Sequence, residues 1–141
     1  MKENFRKHGI SLVAMAFFAL LAAGSFDTDT DTKKVQSQTP SYTLSANQLV
    51  SEYKANEVAA DAKYKGYIVV VSGTIESIGN DIMDNAYVVI GNQGFLAGVQ
   101  CTFTKGEKSS VALLSKGQRV IIKGEVSGKM GNVLLNKCTL Q

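Results

Sequence analysis

The sequence predicts a mainly β domain, a small closed barrel of five strands with an N-terminal helix, on three observations. Two segments, "YIVVVSGTIESI" (67–78) and "QRVIIKGEVSG" (118–128), repeat one pattern of branched residues at an offset of 51, each with a glycine inside it. Three further short β-rich runs accompany them: "AYVVIG" (86–91), "FLAGVQCTFT" (95–104) and "NVLLNKCTL" (132–140). One helical stretch, "GEKSSVALLS" (106–115), separates the third strand from the fourth.

The chain begins with Lys2, Arg6 and Lys7, followed by twelve mostly apolar residues from Ile10 to Leu21 and the small residues Ala22, Ala23 and Gly24. This is the three-part layout of a secretory signal peptide. It is short for a membrane span, which takes about 20 apolar residues. Residues 1–24 are therefore expected to be cleaved on export, an uncleaved anchor being the alternative, and no stable membrane span is expected in the mature chain. The site "LLAAGS" resembles a lipoprotein signal, but Ser25 stands where the modified cysteine would be. A hydroxyl cannot take the thioether-linked lipid, so no lipid anchor is expected and the product is read as periplasmic or envelope-associated.

Residues 25–43, with alternating Asp and Thr and one proline, have almost nothing to bury and read as a flexible linker. The folded domain is expected over 44–141. Ser45 reads as a helix N-cap, with Gln48 completing a capping box and Leu44 and Leu49 spaced as a hydrophobic staple. Ala46, Leu49, Val50 and Tyr53 then form one apolar stripe, which weakens at Asn56 and Glu57 and predicts a broken helix before Gly66.

In the first and fourth strands, Val69, Val71, Gly73 and Ile75 match Val120, Ile122, Gly124 and Val126 at period two, so each set faces a core. A glycine inside each strand lets it coil sharply, as closure of a small barrel requires. Five strands, a helix between the third and fourth, and a tight turn "SGKMGN" from fourth to fifth are the layout of an OB-fold barrel. In that topology the fifth strand lies beside the third. Cys101 then shares an inward face with Phe95, Val99 and Phe103, and Cys138 shares one with Leu134 and Leu140. An oxidising compartment would join the two in a disulfide across about 37 residues; the alternative is a pair of buried free thiols acting as small hydrophobes.

Three stretches, "NEVAADAKYKGYIVVVSGTIESIGND", "GVQCTF" and "LSKGQRVIIKGEVSGKMGNVLLNKCTL", resemble the tRNA-anti-like family of OB-fold domains, small bacterial domains often found behind export or lipoprotein signals. The likeness runs from about Leu44 to the end and includes both cysteines. It implies an OB-fold and brings no catalytic residue; the family's name reflects fold likeness to anticodon-binding domains.

Composition excludes several chemistries. Removing residues 1–24 takes away three of the 15 basic and one of the 12 acidic residues, leaving 12 against 11. Such a balance gives little long-range attraction for polyanions. The single histidine, His8, leaves with the signal, so no His-based triad or Cys-His pair can form. No phosphate loop, CxxC or zinc spacing is present, so no enzyme, metal or cofactor is expected.

OB-fold ligands usually cross strands two and three and the adjoining loops. There the sequence offers Tyr87, Gln100 and Thr102 on the outward face. In the loop 79–86, Asp81 and Asp84, with Asn80 and Asn85, could hold a hard cation or a sugar, although turn chemistry explains the same residues. Between Lys65 and Lys105 there is no lysine or arginine across 39 residues. The expected ligand is accordingly a protein, peptide or envelope glycan. The alternative is single-stranded nucleic acid, disfavoured here, held by Arg119, Lys123 and Lys129 of the fourth strand and its turn. Tyr53, Tyr64 and Tyr67 are read as packing where the helix covers one barrel end.

Overall fold

The computed structural model describes residues 34–91 and 97–141. The expected signal peptide, the first part of the expected linker and Phe95 lie outside them. In chain order the elements are β1 (Tyr42–Ser45), α1 (Ala46–Ala55), α2 (Glu57–Tyr64), β2 (Ile68–Asn80), β3 (Ala86–Ile90), β4 (Val99–Phe103), a 3₁₀ turn (Lys105–Glu107), α3 (Lys108–Val111), β5 (Arg119–Met130) and β6 (Asn132–Leu140). The sheet order is β1-β2-β3-β4-β6-β5, and β2 pairs with β5 to close it. β4 and β6 run parallel and the other barrel pairs run antiparallel. This is the OB-fold barrel that the strand pattern predicts.

The two similar segments turn out to be partners. β2 and β5 pair with Val69 opposite Gly124, Val71 opposite Ile122 and Gly73 opposite Val120, so each glycine lies across from a valine of the other strand. β2 changes partner midway: Ile68–Thr74 pairs with β5 and Ile75–Asn80 with β3, with a register break between Ile75 and Ser77. A strand shared in this way has to bend. Gly73 sits beside the handover, where a Cβ would come within 3.2 Å of the Ala46 Cβ, so α1 can close over that end of the barrel.

The N-terminal helices follow the local rules. Ser45 Oγ accepts from the Gln48 N–H and Gln48 Oε1 accepts from the Ser45 N–H, which completes the capping box. Asn56 ends α1 and starts α2, its Oδ1 accepting from the Ala59 N–H at 3.0 Å; this is the break expected at Asn56 and Glu57. Ala46, Leu49, Val50 and Tyr53 are all buried in the core with Val71, Ile90, Ile122 and Leu135. The Tyr53 hydroxyl donates to Asp61 at 3.0 Å. Tyr64 is buried, Tyr42 meets it edge-on at 4.9 Å, and Tyr67 remains half exposed.

Three features differ from the sequence reading. Residues 34–37 are helical, Val35 is buried, and the Lys123 Nζ donates to the Gln36 carbonyl at 2.9 Å, so this stretch lies against the outer side of β5. It leads into β1, parallel to β2, an element that the sequence reading did not include. The helix expected over 106–115 is one turn of 3₁₀ and one of α ending at Val111, because only Val111 is buried while Leu113 is exposed.

The expected disulfide is not formed in this structure. Cys101 and Cys138 do meet on the neighbouring strands β4 and β6, but both are free, buried thiols 4.3 Å apart. The register explains it: Cys101 lies opposite Leu135 and Cys138 opposite Phe103, with a bulge between, so the cysteines are diagonal neighbours. Burial first, then the hydrogen bond with Cys101, hold the Cys138 thiol well above the usual thiol range.

Candidate binding site

The outer face of β3 and β4 is built by alternation. Val88, Ile90, Val99, Cys101 and Phe103 point into the core, which leaves the half-buried Tyr87, Gln100 and Thr102 and the buried Val89 on the outer face. Register places Tyr87 opposite Thr102 and Val89 opposite Gln100, with Gly79 and Ser77 of β2 extending the two rows. The three outward residues named from the sequence, Tyr87, Gln100 and Thr102, therefore share one patch.

At one end of this face the β2–β3 hairpin makes a well-bonded tip. Asp81 accepts from the Met83 and Asn85 N–H groups at 2.8 and 2.9 Å, and from the Asn85 side chain at 3.2 Å. These bonds, the Asn85 N–H first, hold its carboxyl below the usual range. Asp84 takes a left-handed conformation, φ 62°, and its carboxylate pairs with Lys108 at 2.8 Å. That pair lowers the Asp84 carboxyl as well. Ile82 and Met83 are left standing in solvent. Asp81 and Asp84 thus fix the loop through turn and ion-pair chemistry. Among the described residues no group of three or more His, Cys, Asp or Glu is placed to hold a metal ion.

Between the hairpin and the ends of β4 and β6 lies an open pocket of about 590 Å³. Asp81, Met83 and Asn85 form the hairpin wall; Thr102, Phe103, Thr104 and Lys105 form the β4 side, and Asn136 and Lys137 the β6 side. The volume is in the range of small-ligand sites. Sequence reasoning missed Lys105, Asn136 and Lys137. The signal was within reach: once β6 is placed beside β4, the residues next to Cys138 must flank those after Phe103.

The basic residues of the alternative reading are not joined into one surface. Arg119 is exposed at the start of β5, Lys123 is buried beneath residues 34–38, and Lys129 pairs with Glu57 at 3.6 Å. Among the described residues no helix is long and apolar enough to cross a membrane.

A closed five-stranded barrel with parallel β4 and β6, an outward patch across β3 and β4, and a pocket at its end defines an OB-fold domain. The chain belongs to the tRNA_anti-like family, whose model matches residues 4–139. Among solved structures it is similar to a Klebsiella pneumoniae protein whose name proposes a nucleic acid-binding lipoprotein, at 22% identity and a TM-score of 0.60, covering 77% of this chain and 96% of that one. It is also similar, at 24% identity and a TM-score of 0.39, to the OBody NL8 bound to hen egg-white lysozyme, covering 52% of this chain and 91% of that one. At 22% identity the Klebsiella structure speaks for the fold alone. No curated protein sequence matches the chain.

Proposed function

We propose that this protein is a non-enzymatic, exported binding module whose ligand, a protein, peptide or envelope glycan, lies across the outer face of β3 and β4. One observation carries the reading: the patch of Tyr87, Gln100 and Thr102 meets, at Thr102, the 590 Å³ pocket, whose largely apolar walls carry a few polar groups and both signs of charge. The aromatic ring offers a platform that accepts sugars or side chains at low entropic cost. Cleavage after Gly24, without lipid addition at Ser25, belongs to the same proposal. Intact-mass measurement of the protein recovered from its host tests it, because a retained leader or an added lipid changes the mass.

The test of the face is titration of the isotopically labelled mature chain with a mixed pentapeptide pool and with a soluble peptidoglycan digest. Resonance shifts centred on Tyr87, Gln100 and Thr102, reduced in Tyr87→Ala, support the reading. Shifts confined to other surfaces count against it.

Single-stranded nucleic acid is a second reading, supported by the name of the Klebsiella relative and by Lys105 and Lys137 beside the face. Binding of a ten-residue oligothymidylate that persists at physiological salt, with a steep salt slope, would favour it.

A further inference from the structure

We infer that the pocket at the end of β4 receives a single carboxylate, the C-terminal carboxylate of a peptide whose last side chain is apolar; this deepens the reading of the β3–β4 face and rests on it. Two lysines, Lys105 and Lys137, line the pocket against one carboxylate, Asp81. Asp81 is already occupied by three donors of its own loop, so it serves the hairpin and is not a counter-ion for either lysine. Among the described residues Lys105 has neither an ion pair nor a side-chain hydrogen bond. Lys137 reaches only Glu125, at 3.5 Å with both partners about half-buried, a long pair that a ligand carboxylate can replace.

The backbone gives a second, independent reason. Lys137 has φ 54°, a left-handed conformation that side chains other than Gly and Asn disfavour. It lies in the bulged stretch of β6 where register with β5 shifts. Glycine would fit there without strain, yet the position carries a long cation at the lip of a pocket, and strained positions of this kind gather at binding sites. The other groups complete the match. Thr102, Thr104 and Asn136 supply hydroxyl and amide groups, and exposed Met83 supplies an apolar wall for a terminal side chain. Lys105, which has no ion pair of its own among the described residues, suits one monoanion. A phosphodiester strand would carry a charge at every nucleotide along a face that holds Glu76, Asp81 and Asp84 and has no lysine or arginine between Lys65 and Lys105.

The experiment uses the full mature chain and two pools of N-acetylated pentapeptides, randomised at the first four positions and ending in Leu, one as free acids and one as C-terminal amides. A ten-residue oligothymidylate is the third probe. The acid pool is expected to bind about ten-fold or more tighter than the amide pool, as a charge-assisted contact requires. Lys105→Ala and Lys137→Gly should each weaken the acid pool by about five-fold or more and leave the amide pool unchanged. Lys137→Gly is the safer variant, since its backbone fits the left-handed position and the melting temperature should hold. Equal binding of acid and amide pools, both weakened by Tyr87→Ala, overturns the carboxylate site and leaves the face reading standing. Resonance shifts from neither pool overturn the carboxylate site, and overturn the face reading too if the peptidoglycan digest is equally silent; shifts from the oligothymidylate alone overturn both.

Discussion

The phenol end of Tyr87 lies against Gly79 on the neighbouring strand: a Cβ built at Gly79 would stand 2.8 Å from the Tyr87 Oη and 2.9 Å from its Cζ. The two residues are direct cross-strand partners of β2 and β3, so the missing side chain of one makes the bed for the other. An aromatic laid over a strand glycine covers exposed backbone and is itself held in place. Gly79→Ala should therefore lift the ring, with a stability loss of about 1 kcal/mol, the low end for overpacking because Tyr87 can rotate. Tyr87→Ala in the same background should return part of it. A double-mutant cycle by urea unfolding that shows no coupling between the two positions would contradict this contact.

Gly124 faces a harder neighbour. A Cβ there would come 2.6 Å from the Cys138 Sγ and 3.2 Å from the Asn136 carbonyl oxygen, both inside the closed seam of β5 and β6. Neither can swing away as a ring at the surface can. Gly124→Ala is expected to cost about 2–3 kcal/mol, more than Gly79→Ala. Adding Cys138→Ala should recover part of the loss, because it removes the sulfur but leaves the carbonyl. Chemical denaturation of the four proteins checks the order.

The contrast between these glycines marks what the chain makes legible. Period-two spacing around Gly73 and Gly124 exposes the inward faces of β2 and β5, and the capping pattern at Ser45 exposes the start of α1, because both signals are local. The strand Tyr42–Ser45 is not local in this sense. Its four residues become a strand only because the edge of β2 is there to receive them. Lys137 beside Lys105 likewise depends on parallel register between β4 and β6, and its left-handed backbone depends on a bulge. The outward patch could be read from alternation. The pocket at its end required the closed barrel.

Alkaline pH should unfold this protein early. Burial raises the Cys138 thiol above its ordinary 9.0 and the Tyr53 phenol above 10.0, with the Asp61 carboxylate adding to the second. Tyr64 is raised from 10.0 by burial as well. In each case the folded chain favours the neutral form, so the unfolded chain gives up its protons first. Their stabilisation is complete below the unfolded values and is lost as pH climbs through them toward the folded ones. Urea midpoints should stay level to about pH 8 and then fall steadily. Cys138→Ala should delay the onset by about one pH unit, leaving the tyrosines to set it. A level midpoint up to about pH 11 would contradict the burial of these groups.

Lys123 offers a test of the segment that crosses β5. Its side chain is only 6% exposed, and its amine donates to the Gln36 carbonyl beneath buried Val35. Lys116, in the turn before the same strand, is exposed. Acetylation of the folded protein should therefore modify Lys116 readily and Lys123 last, since an amine held in a hydrogen bond and shielded from reagent reacts only when its cover opens. A chain beginning at Gln38 removes that cover while keeping β1 and the barrel. It should lose no more than about 1.5–3 kcal/mol, the worth of one buried valine side chain, and should acetylate Lys123 at nearly the rate of Lys116. Site-resolved mass spectrometry reads both rates in one digest. If Lys123 in the longer chain reacts as fast as Lys116, the segment does not rest on β5; if it stays protected in the shorter chain, Val70 and Thr139, its partners across the sheet, shield it instead.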